Sequence, residues 1–357
     1  MVASHRRFHR RASRAAETES KSAAGKGAIM GSFREPDGFQ WGHFKNPEGA
    51  DIRYGHAAPE GEPRARMVIL GGLRENIEKY FEVANEMVAK GYEVWLMDWR
   101  GQGGSERYLA DNPQKAHHEG YDEQIETLHA FTQNILPKSD KPLIMVGHSM
   151  GAHIGMRYLK EHEGVFDSAL LSSPMIDIVT AGLPKPLARQ MAKFAKAGNY
   201  LEKYIPGGSD YKGREAFEGN NKTSDPVRFE AANDIIENNP ALKIGEPTYG
   251  WIYHTFISID ILNDESYLKA IKTPILMEVS DNDKIVERAA QDRALKFLPN
   301  AQKVDISGAK HEIWMEQDKY RDIWVAKVDE FLAERLKLAA PAPKKPSPPA
   351  APKPPTP

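Results

Sequence analysis

The pentapeptide Gly-His-Ser-Met-Gly at residues 147–151 is the segment of this chain whose residue types and spacing point most directly to chemistry. It has the form G-x-S-x-G and follows the apolar run 142–146, which is the sequence pattern of a nucleophile elbow. A serine at such a sharp strand-to-helix turn has strained backbone geometry, and the flanking glycines remove side chains that would collide with the neighbouring strand and helix. The pattern nominates Ser149 as a nucleophile and predicts a helix over 152–160 behind it.

A serine hydroxyl is a poor nucleophile at neutral pH, so it needs an imidazole to accept its proton and a carboxylate to orient that imidazole. Behind a nucleophile elbow these partners follow in the order serine, acid, histidine, on loops after later strands. His311 follows the last predicted strand, 303–306, and we therefore assign it the role of general base. The other downstream histidines, on the helix after the elbow or in a segment that interrupts the strand pattern, are His153, His162 and His254.

Two carboxylates, Asp281 and Asp283, follow the predicted strand 274–279 and are candidates for the acid. We favour Asp283, because the loop must carry the acid a few residues beyond the strand tip and residues 285–286 can then anchor the next turn. Asp281 is the alternative. Asp177, after the preceding strand, is a third candidate, and its ordinary role would be a turn or a helix cap.

Acyl transfer also needs hydrogen-bond donors for the developing oxyanion, and losing one donor costs on the order of 10²–10³ in rate. We expect the backbone amide of Met150 to be one of them. The second should come from the loop after the predicted strand 67–70, where the glycines at 71–72 let a backbone amide approach the substrate. We choose Leu73 for this role, with an ordinary glycine turn as the alternative interpretation.

Two other segments are weaker candidates for chemistry. The glycine-rich stretch 98–105 follows a strand, but it lacks the Lys-Ser/Thr of a phosphate loop and the spacing of a dinucleotide fingerprint. We interpret it as a tight turn beside the active site. His117 and His118 precede a glutamate, but adjacent histidines project apart and the chain has no H-E-x-x-H motif, so a solvated loop is favoured. We expect neither a metal ion nor an organic cofactor.

Composition excludes several classes of protein. The 357 residues allow about two domains or one large α/β unit, and 48 basic against 50 acidic side chains give a net charge of -2, with no electrostatic demand for nucleic acid. The absence of cysteine excludes disulfides, thiolate metal sites and cysteine nucleophiles. No apolar run reaches about 18 residues, so we expect no membrane span. The expectation is a soluble, cytoplasmic protein, with peripheral contact to the inner membrane as the alternative.

The two ends of the chain differ in composition from the rest. Residues 1–30 carry seven basic side chains against two acidic ones and few large apolar residues, so we expect a disordered basic arm over 1–32. An organelle transit peptide is the weaker interpretation of this arm. Residues 339–357 are almost wholly Pro, Ala, Lys and Ser, and we expect a stiff, disordered, polyproline-like tail.

Between these ends, runs typical of buried strands alternate with helical stretches after an opening hairpin at 39–57. This order predicts an α/β fold with a mostly parallel sheet and helices on both faces, which gathers reactive groups at the carboxyl ends of the strands. The pattern breaks after residue 174 and resumes at 274. We therefore predict one core in two parts, 33–174 and 271–338, with an inserted helical cap over 175–270.

Within the predicted cap, apolar residues from Leu187 through Phe194 recur at three- and four-residue steps, while basic residues fall on other faces. We expect an amphipathic helix with a solvated basic side, and contact with anionic lipid is the alternative. Phe194, Tyr249 and Trp251 are candidates to line an acyl pocket, with ordinary core positions as the alternative.

With these residues in place, the chain resembles a serine-dependent α/β-hydrolase of the lysophospholipase and monoacylglycerol lipase branch over about 39–338. The motifs that carry the resemblance are G-H-S-M-G at 147–151, D-W-R-G-Q-G-G-S at 98–105, A-K-H-E at 309–312, and two stretches similar to bacterial lysophospholipases at 223–229 and 245–251.

The resemblance implies an α/β-hydrolase fold and a carboxylic ester hydrolase in which Ser149, Asp283 and His311 match the catalytic triad and Leu73 and Met150 match the oxyanion donors. It implies a lipid-like ester substrate, lysophospholipid or monoacylglycerol, cleaved through an acyl-enzyme without a cofactor. An amidase, peptidase or thioesterase with the same triad is one alternative. A catalytically silent binding protein is another.

The chain departs from the family pattern at one point. Members commonly have His-Gly before the oxyanion residue, whereas this chain has Gly71 and Gly72. The missing imidazole changes what supports the loop, while the backbone amide stays available. The departure therefore bears on the geometry of the oxyanion hole and not on the reaction class.

Overall fold

The structure, a computed structural model, describes residues 31–180 and 182–337. Residues 1–30 of the predicted basic arm and the whole predicted tail, 339–357, lie outside the described residues. The elements that follow are those of the described part of the chain.

One eight-stranded sheet forms the centre of the molecule. Its strands are β1 (Gln40–Lys45), β2 (Asp51–Ala57), β3 (Ala65–Leu70), β4 (Tyr92–Met97), β5 (Leu143–His148), β6 (Ser168–Ser172), β7 (Ile275–Ser280) and β8 (Ala301–Ile306). Their spatial order is β1-β2-β4-β3-β5-β6-β7-β8. β1 pairs with β2, and β2 with β4, in antiparallel fashion, and the other neighbours are parallel. The predicted hairpin and mostly parallel sheet are confirmed.

Helices connect these strands. They are α1 (Phe81–Ala89), α2 (Tyr121–Ala130), α3 (Ser149–Glu161), α4 (Lys185–Ala197), α5 (Pro226–Asn238), α6 (Tyr249–Leu262), α7 (Glu265–Ala270), α8 (Arg288–Leu295) and α9 (Asp318–Arg335). None of the helices in the described ranges is both long enough and apolar enough to cross a bilayer.

The sheet is covered on both faces, as predicted, because successive side chains of a strand point to opposite sides. In β3, Met67 and Ile69 pack with residues of α1 and α9, whereas Val68 and Leu70 pack with residues of α2, α3 and α8. The central strands are therefore buried along their whole length, and the carboxyl ends of the parallel strands meet at one edge.

Three helices have distinctive ends. A 3-10 turn, Ile77–Tyr80, precedes α1, and α2 continues into a π-helical turn, Phe131–Ile135. The helix after the elbow begins at Ser149 itself. A sharp strand-to-helix turn leaves no linker, so Ser149 is already the first residue of the helix.

The segment between β6 and β7, which contains α4 to α7, is called the cap here. α6 packs against α4, α2 and α3, so it connects the cap to the core. In α4 the buried face consists of alanines, Ala188, Ala192 and Ala195, while Leu187 is 48% exposed and Phe194 is 66% exposed. The interpretation of Phe194 as a core or pocket residue is therefore wrong: small alanines let α4 approach α6 closely, and the large apolar side chains face outward.

Candidate active site

Ser149 lies at the junction of β5 and α3 with a φ of 50°, in the left-handed region. The glycines on either side make this turn possible. A Cβ atom at Gly147 would lie 2.8 Å from the backbone of α3, and one at Gly151 would collide with the carbonyl oxygen of Leu70. The predicted strained turn is present, and it holds the Ser149 hydroxyl at the carboxyl end of a central strand.

His311 and Asp283 come together across the ends of β8 and β7. The Nδ1 atom of His311 lies 2.7 Å from Oδ2 of Asp283, and both side chains are nearly fully buried. The other carboxylate oxygen of Asp283 accepts hydrogen bonds from the amides of Ile285, at 2.8 Å, and Val286, at 3.2 Å. These amides fix the carboxylate, and the carboxylate fixes the imidazole.

The other two candidate acids lie elsewhere. Asp281 accepts hydrogen bonds from the Ser307 hydroxyl and the Gly308 amide, both at 2.6 Å, in an exposed link between two loops. Asp177 forms an ion pair with Lys185, with 2.7 Å between Oδ2 and Nζ. Neither contact leads to an imidazole, so Asp283 is the candidate acid that the fold brings to His311.

The buried charges tune these groups. Burial by itself lowers the pKa of His311, but the charge and hydrogen bond of Asp283 and the carboxylates of Glu312 and Glu75 raise it above its ordinary value. Burial raises the pKa of Asp283, and the charge of His311 with the hydrogen bonds at this carboxyl outweighs that effect and lowers it. His148 differs, because burial lowers its pKa to about 4 despite the nearby Glu75. An imidazole beside an ionised aspartate has the electrostatics that a general base requires.

Ser149 and His311 line the same cavity, which has a volume of about 240 Å³. Within residues 31–180 and 182–337, no hydrogen bond joins the Ser149 hydroxyl to His311. The ring of His148, the residue before the serine, lies 4.8 Å from the ring of His311. In hydrolases without bound substrate the contact between nucleophile and base is often loose and tightens on binding.

Two amides of the loop after β3 are engaged and the amide between them is not. The amide of Gly72 donates to the Glu75 carboxylate, and the amide of Arg74 donates to Oε1 of Gln102 at 3.0 Å. For the amide of Leu73, between them, the described part of the chain provides no acceptor. The amide predicted to be an oxyanion donor is therefore available for a ligand.

This loop lies directly against the nucleophile. A Cβ atom at Gly72 would come within 3.1 Å of Cβ of Ser149, so a larger residue there would require the neighbouring atoms to shift. Met150 is in the first turn of α3, where backbone amides have no intrahelical acceptor. Leu73 follows Gly72 and Met150 follows Ser149, so both residues belong to segments next to the serine. The role of their amides as oxyanion donors stays a prediction.

Side chains from the 98–105 turn support the loop after β3, residues 71–76, which we call the oxyanion loop after its predicted role. Nε2 of Gln102 donates to the carbonyl oxygens of Gly72, at 2.7 Å, and Glu75, at 3.0 Å, and Nε1 of Trp99 donates to the carbonyl oxygen of Gly71 at 2.9 Å. The stretch is the tight turn beside the active site that we predict. Its side chains hold the loop in place in this chain, which has Gly71 at the position where family members commonly have histidine.

A buried ionic cluster next to the site was missed by the sequence analysis. Nζ of Lys79 lies 2.6 Å from Glu75 and 2.8 Å from Glu312, and the Tyr80 hydroxyl donates to Glu75 at 2.6 Å. Burial opposes both charges, but Glu312 and Glu75 raise the pKa of Lys79, and Lys79 lowers the pKa of Glu75. The i, i+4 spacing of Glu75 and Lys79, and a glutamate directly after His311, were the available signals.

Both apolar and charged side chains line the cavity. An apolar wall is formed by α5 and the residues after it, through Phe229, Ala232, Ile236, Leu242 and Ile244. The charged side chains are those of the buried cluster, Glu75, Lys79 and Glu312, and four others, Arg74, Glu215, Lys222 and Glu246. Tyr249 and Trp251, the other candidate acyl-site residues, do not line this cavity, because α5 and not α6 faces the serine.

The prediction of a solvated loop at His117 and His118 is wrong. Both side chains are buried beneath the cap, with Nδ1 of His117 2.7 Å from the Thr248 hydroxyl and the ring of His118 packed on Tyr121 at 4.4 Å. The described residues contain no cluster of His, Cys, Asp and Glu side chains suited to a metal ion. His153 is a buried core residue, with its two nitrogens 2.7 Å from the Met175 carbonyl oxygen and the Ser258 hydroxyl.

The strand order, the strained serine after β5 and the loops after β7 and β8 define an α/β-hydrolase. A soluble variant of the monoglyceride lipase from Saccharomyces cerevisiae has the same fold, with a TM-score of 0.63 and 18% identity over 83% of this chain and 96% of that one. The predicted α/β-hydrolase fold is confirmed.

Residues 61–318 match the family described as serine aminopeptidase, S33, and the chain belongs to this family. The protein named Probable lysophospholipase L2 of Haemophilus influenzae is 30% identical over 278 residues, which are 77% of this chain and 85% of that protein. Lysophospholipase L2 of Escherichia coli K12 is 29% identical over 277 residues, 74% of this chain and 79% of that protein. The predicted lysophospholipase and monoacylglycerol lipase branch is confirmed.

Proposed function

We propose that this protein is a serine hydrolase that cleaves carboxylic esters of lipid-like substrates, lysophospholipid or monoacylglycerol. The observation that carries the proposal is the 2.7 Å contact between His311 and Asp283, because His311 lines the cavity that Ser149 also lines. The similarity to lysophospholipases over more than two thirds of the chain supports the substrate class.

In this mechanism Ser149 attacks the ester carbonyl while His311 accepts the hydroxyl proton and passes it to the departing alcohol. Asp283 holds the imidazole in the useful tautomer and stabilises its positive charge. The amides of Leu73 and Met150 stabilise the oxyanion. Water, deprotonated by His311, then attacks the acyl-enzyme and releases the fatty acid and the free serine.

The apolar wall of the cavity supports a fatty acyl chain as the bound group. Phe229, Ala232 and Ile236 recur at helical spacing on α5, so one face of this helix borders the cavity. A hydrocarbon chain placed there is removed from water, at about 25 cal/mol for each Å² of apolar surface buried. An aminoacyl group gains much less from such a wall.

An amidase or peptidase with the same triad is the second candidate, and the description of the family as serine aminopeptidase is the observation that favours it. Thioester cleavage needs the same groups. A panel with one lysophospholipid, one monoacylglycerol, an acyl thioester, a short aryl ester and an aminoacyl amide separates these activities. The proposal expects the highest kcat/KM on a glycerolipid ester, and a preference for amides would overturn it.

A fluorophosphonate probe tests whether the site is catalytic at all. We expect the native chain to be labelled and Ser149→Ala to be unlabelled, with Ser173→Ala as the matched control because Ser173 also has a positive φ at the end of a strand. A folded native chain that resists labelling would support the silent binding protein.

We also propose peripheral contact between the cap and an anionic membrane. Leu187, Phe194 and Tyr200 are each about half or more exposed, and the exposed Lys193 and Lys196 lie beside them. Apolar side chains flanked by lysines fit the boundary of an anionic bilayer. Such contact between a cytoplasmic protein and the inner membrane would bring the cap to the lipid substrate.

Sedimentation with vesicles of anionic lipid tests this surface. Phe194→Asp should reduce binding, whereas Ile323→Asp, which alters an apolar residue 46% exposed on α9, should not. Deleting residues 1–30 tests the predicted basic arm in the same assay. Equal binding by all variants would overturn the membrane contact.

A further inference from the structure

Besides the buried Lys79, Glu75 and Glu312, four partly exposed charged side chains line the cavity that holds Ser149. Arg74 contacts two carboxylates of the cap, with Nη1 3.1 Å from Glu246 and Nη2 3.3 Å from Glu215. Lys222 contacts the second oxygen of Glu215 at 2.6 Å. We call these four residues the charged quartet.

The charged quartet carries two positive and two negative charges and lines the same cavity as the apolar residues of α5. A cavity that presents both hydrocarbon surface and partly exposed charges of both signs fits a ligand that is apolar at one end and zwitterionic at the other. Glycerol hydroxyls can hydrogen-bond to these side chains but bring no charge to them, whereas a zwitterionic headgroup brings an opposite charge to both the cations and the carboxylates. The balance therefore favours a headgroup that carries both a phosphate and an ammonium.

We infer that the charged quartet binds the zwitterionic headgroup of a lysophospholipid, with the phosphate on Arg74 and Lys222 and the ammonium against Glu246 and Glu215. The inference rests on the proposed function and selects lysophospholipid over monoacylglycerol as the preferred substrate. Guanidinium and ammonium groups are the usual phosphate ligands, and the guanidinium can bind two phosphate oxygens at once.

The ion pairs of Arg74 are open to exchange. The contacts of Arg74, at 3.1 and 3.3 Å, are longer than the roughly 2.7–2.9 Å of strong charge-assisted hydrogen bonds. The side chains of the quartet are 24–45% exposed, so water screens their pairing and little is lost when a phosphate replaces a carboxylate. The released carboxylates then face the ammonium.

The position of Arg74 matches the covalent structure of the ligand. It directly follows Leu73, the proposed oxyanion donor, and its backbone is fixed by a φ of 64° and by the hydrogen bond from its amide to Gln102. An ester carbonyl at the oxyanion site therefore lies no farther from the Arg74 guanidinium than about the length of one arginine side chain. In a lysophospholipid the three-carbon glycerol separates the carbonyl from the phosphate by a similar distance.

Two methionine variants test the quartet through a ratio of rates. The ratio of kcat/KM for lysophosphatidylethanolamine to that for a monoacylglycerol of the same acyl chain should fall about 10- to 100-fold in Arg74→Met, mainly through KM. It should fall in Lys222→Met as well. Arg288→Met, which removes a 2.7 Å ion pair to Asp305 outside the cavity, should leave the ratio unchanged. An unchanged ratio in both quartet variants would overturn the inference.

A second measurement separates the headgroup site from lipid turnover. Glycerophosphoethanolamine, the headgroup without an acyl chain, should inhibit hydrolysis of a short aryl ester by the native protein, and Lys222→Met should weaken this inhibition. No inhibition would overturn the headgroup site even if lipids are cleaved. Inhibition without turnover of either glycerolipid would instead overturn the proposed function. Equal inhibition by glycerol 3-phosphate would overturn the ammonium assignment.

Discussion

Lys79 and Glu312 lie 2.8 Å apart, and their contact joins the oxyanion loop to the loop that carries His311. Lys79 also contacts Glu75 at 2.6 Å, and Glu75 in turn accepts from the amide of Gly72. All three charged side chains are about nine-tenths buried or more, at 5–11% exposure. Because the proposed oxyanion donor and the proposed base, His311, are held by one ionic cluster, a change in the cluster should disturb both.

Lys79→Met removes the central charge of this cluster and leaves two buried carboxylates unpaired. We expect the free energy of unfolding to fall by about 3–5 kcal/mol, and kcat on an ester to fall about 10- to 100-fold as both loops shift. Urea unfolding and steady-state kinetics measure the two effects. Lys90→Met is the control, because its pair with Asp329 is about one quarter exposed and should contribute below about 1 kcal/mol. Equal losses in the two variants would contradict the prediction.

Gln102→Met tests the support of the oxyanion loop. The variant keeps a similar side-chain volume but loses the bonds to the Gly72 and Glu75 carbonyl oxygens and to the Arg74 amide. Because an oxyanion donor acts mainly in the transition state, kcat should fall about 10- to 100-fold with little change in KM. Gln317→Met, which loses one bond to a backbone carbonyl oxygen away from this loop, should retain full activity.

The two aspartates after β7 form a matched pair of variants. Asp283→Asn should lower kcat by about 10⁴, because the amide no longer favours the required tautomer of His311. Asp281→Asn should retain kcat within about threefold, since this side chain binds Ser307 and Gly308 at the surface. Kinetics with an activated aryl ester compare them, and a larger loss in Asp281→Asn would assign the acid to Asp281.

The pH dependence should report the titration of His311. Its neutral form accepts the proton, and its pKa is raised above 6.5 by Asp283, so kcat/KM should rise with pH through a midpoint above 6.5 and then level off. In Asp283→Asn the charge that stabilises the imidazolium is gone, and the midpoint should move to lower pH. A native midpoint at or below 6.5, or one that does not move in the variant, would exclude this electrostatic role.

Arg228→Met tests how the cap is attached to the core. On α5, Arg228 is 3% exposed and contacts Glu82 of α1, with Nε 2.8 Å from Oε2. The variant leaves a buried carboxylate unpaired, and the free energy of unfolding should fall by about 3–5 kcal/mol. Arg214→Met, which removes exposed pairs to Glu230 and Asp234 within the cap, should leave the unfolding midpoint nearly unchanged. Differential scanning calorimetry of both variants measures the difference.

The features that the sequence itself determined are those encoded by neighbouring residues. Glycines at 147 and 151 allow the sharp turn at Ser149, because any side chain there would collide with the neighbouring backbone. Short apolar runs between helical stretches specify a mostly parallel sheet. Chain order then singles out His311, the histidine after the last strand. These signals act over a few residues, so no knowledge of distant contacts was needed to reach the fold and the three nominated side chains.

The tertiary structure alone decided the contacts between residues far apart in the chain. The path of the loop after β7 turns Asp283 and not Asp281 toward His311, and Gln102 reaches the oxyanion loop from about 30 residues away. The docking of the cap turned Phe194 outward and covered His118, against the sequence-based expectations. Periodicity reveals that a helix has two faces, but only packing against the rest of the molecule determines which face is buried.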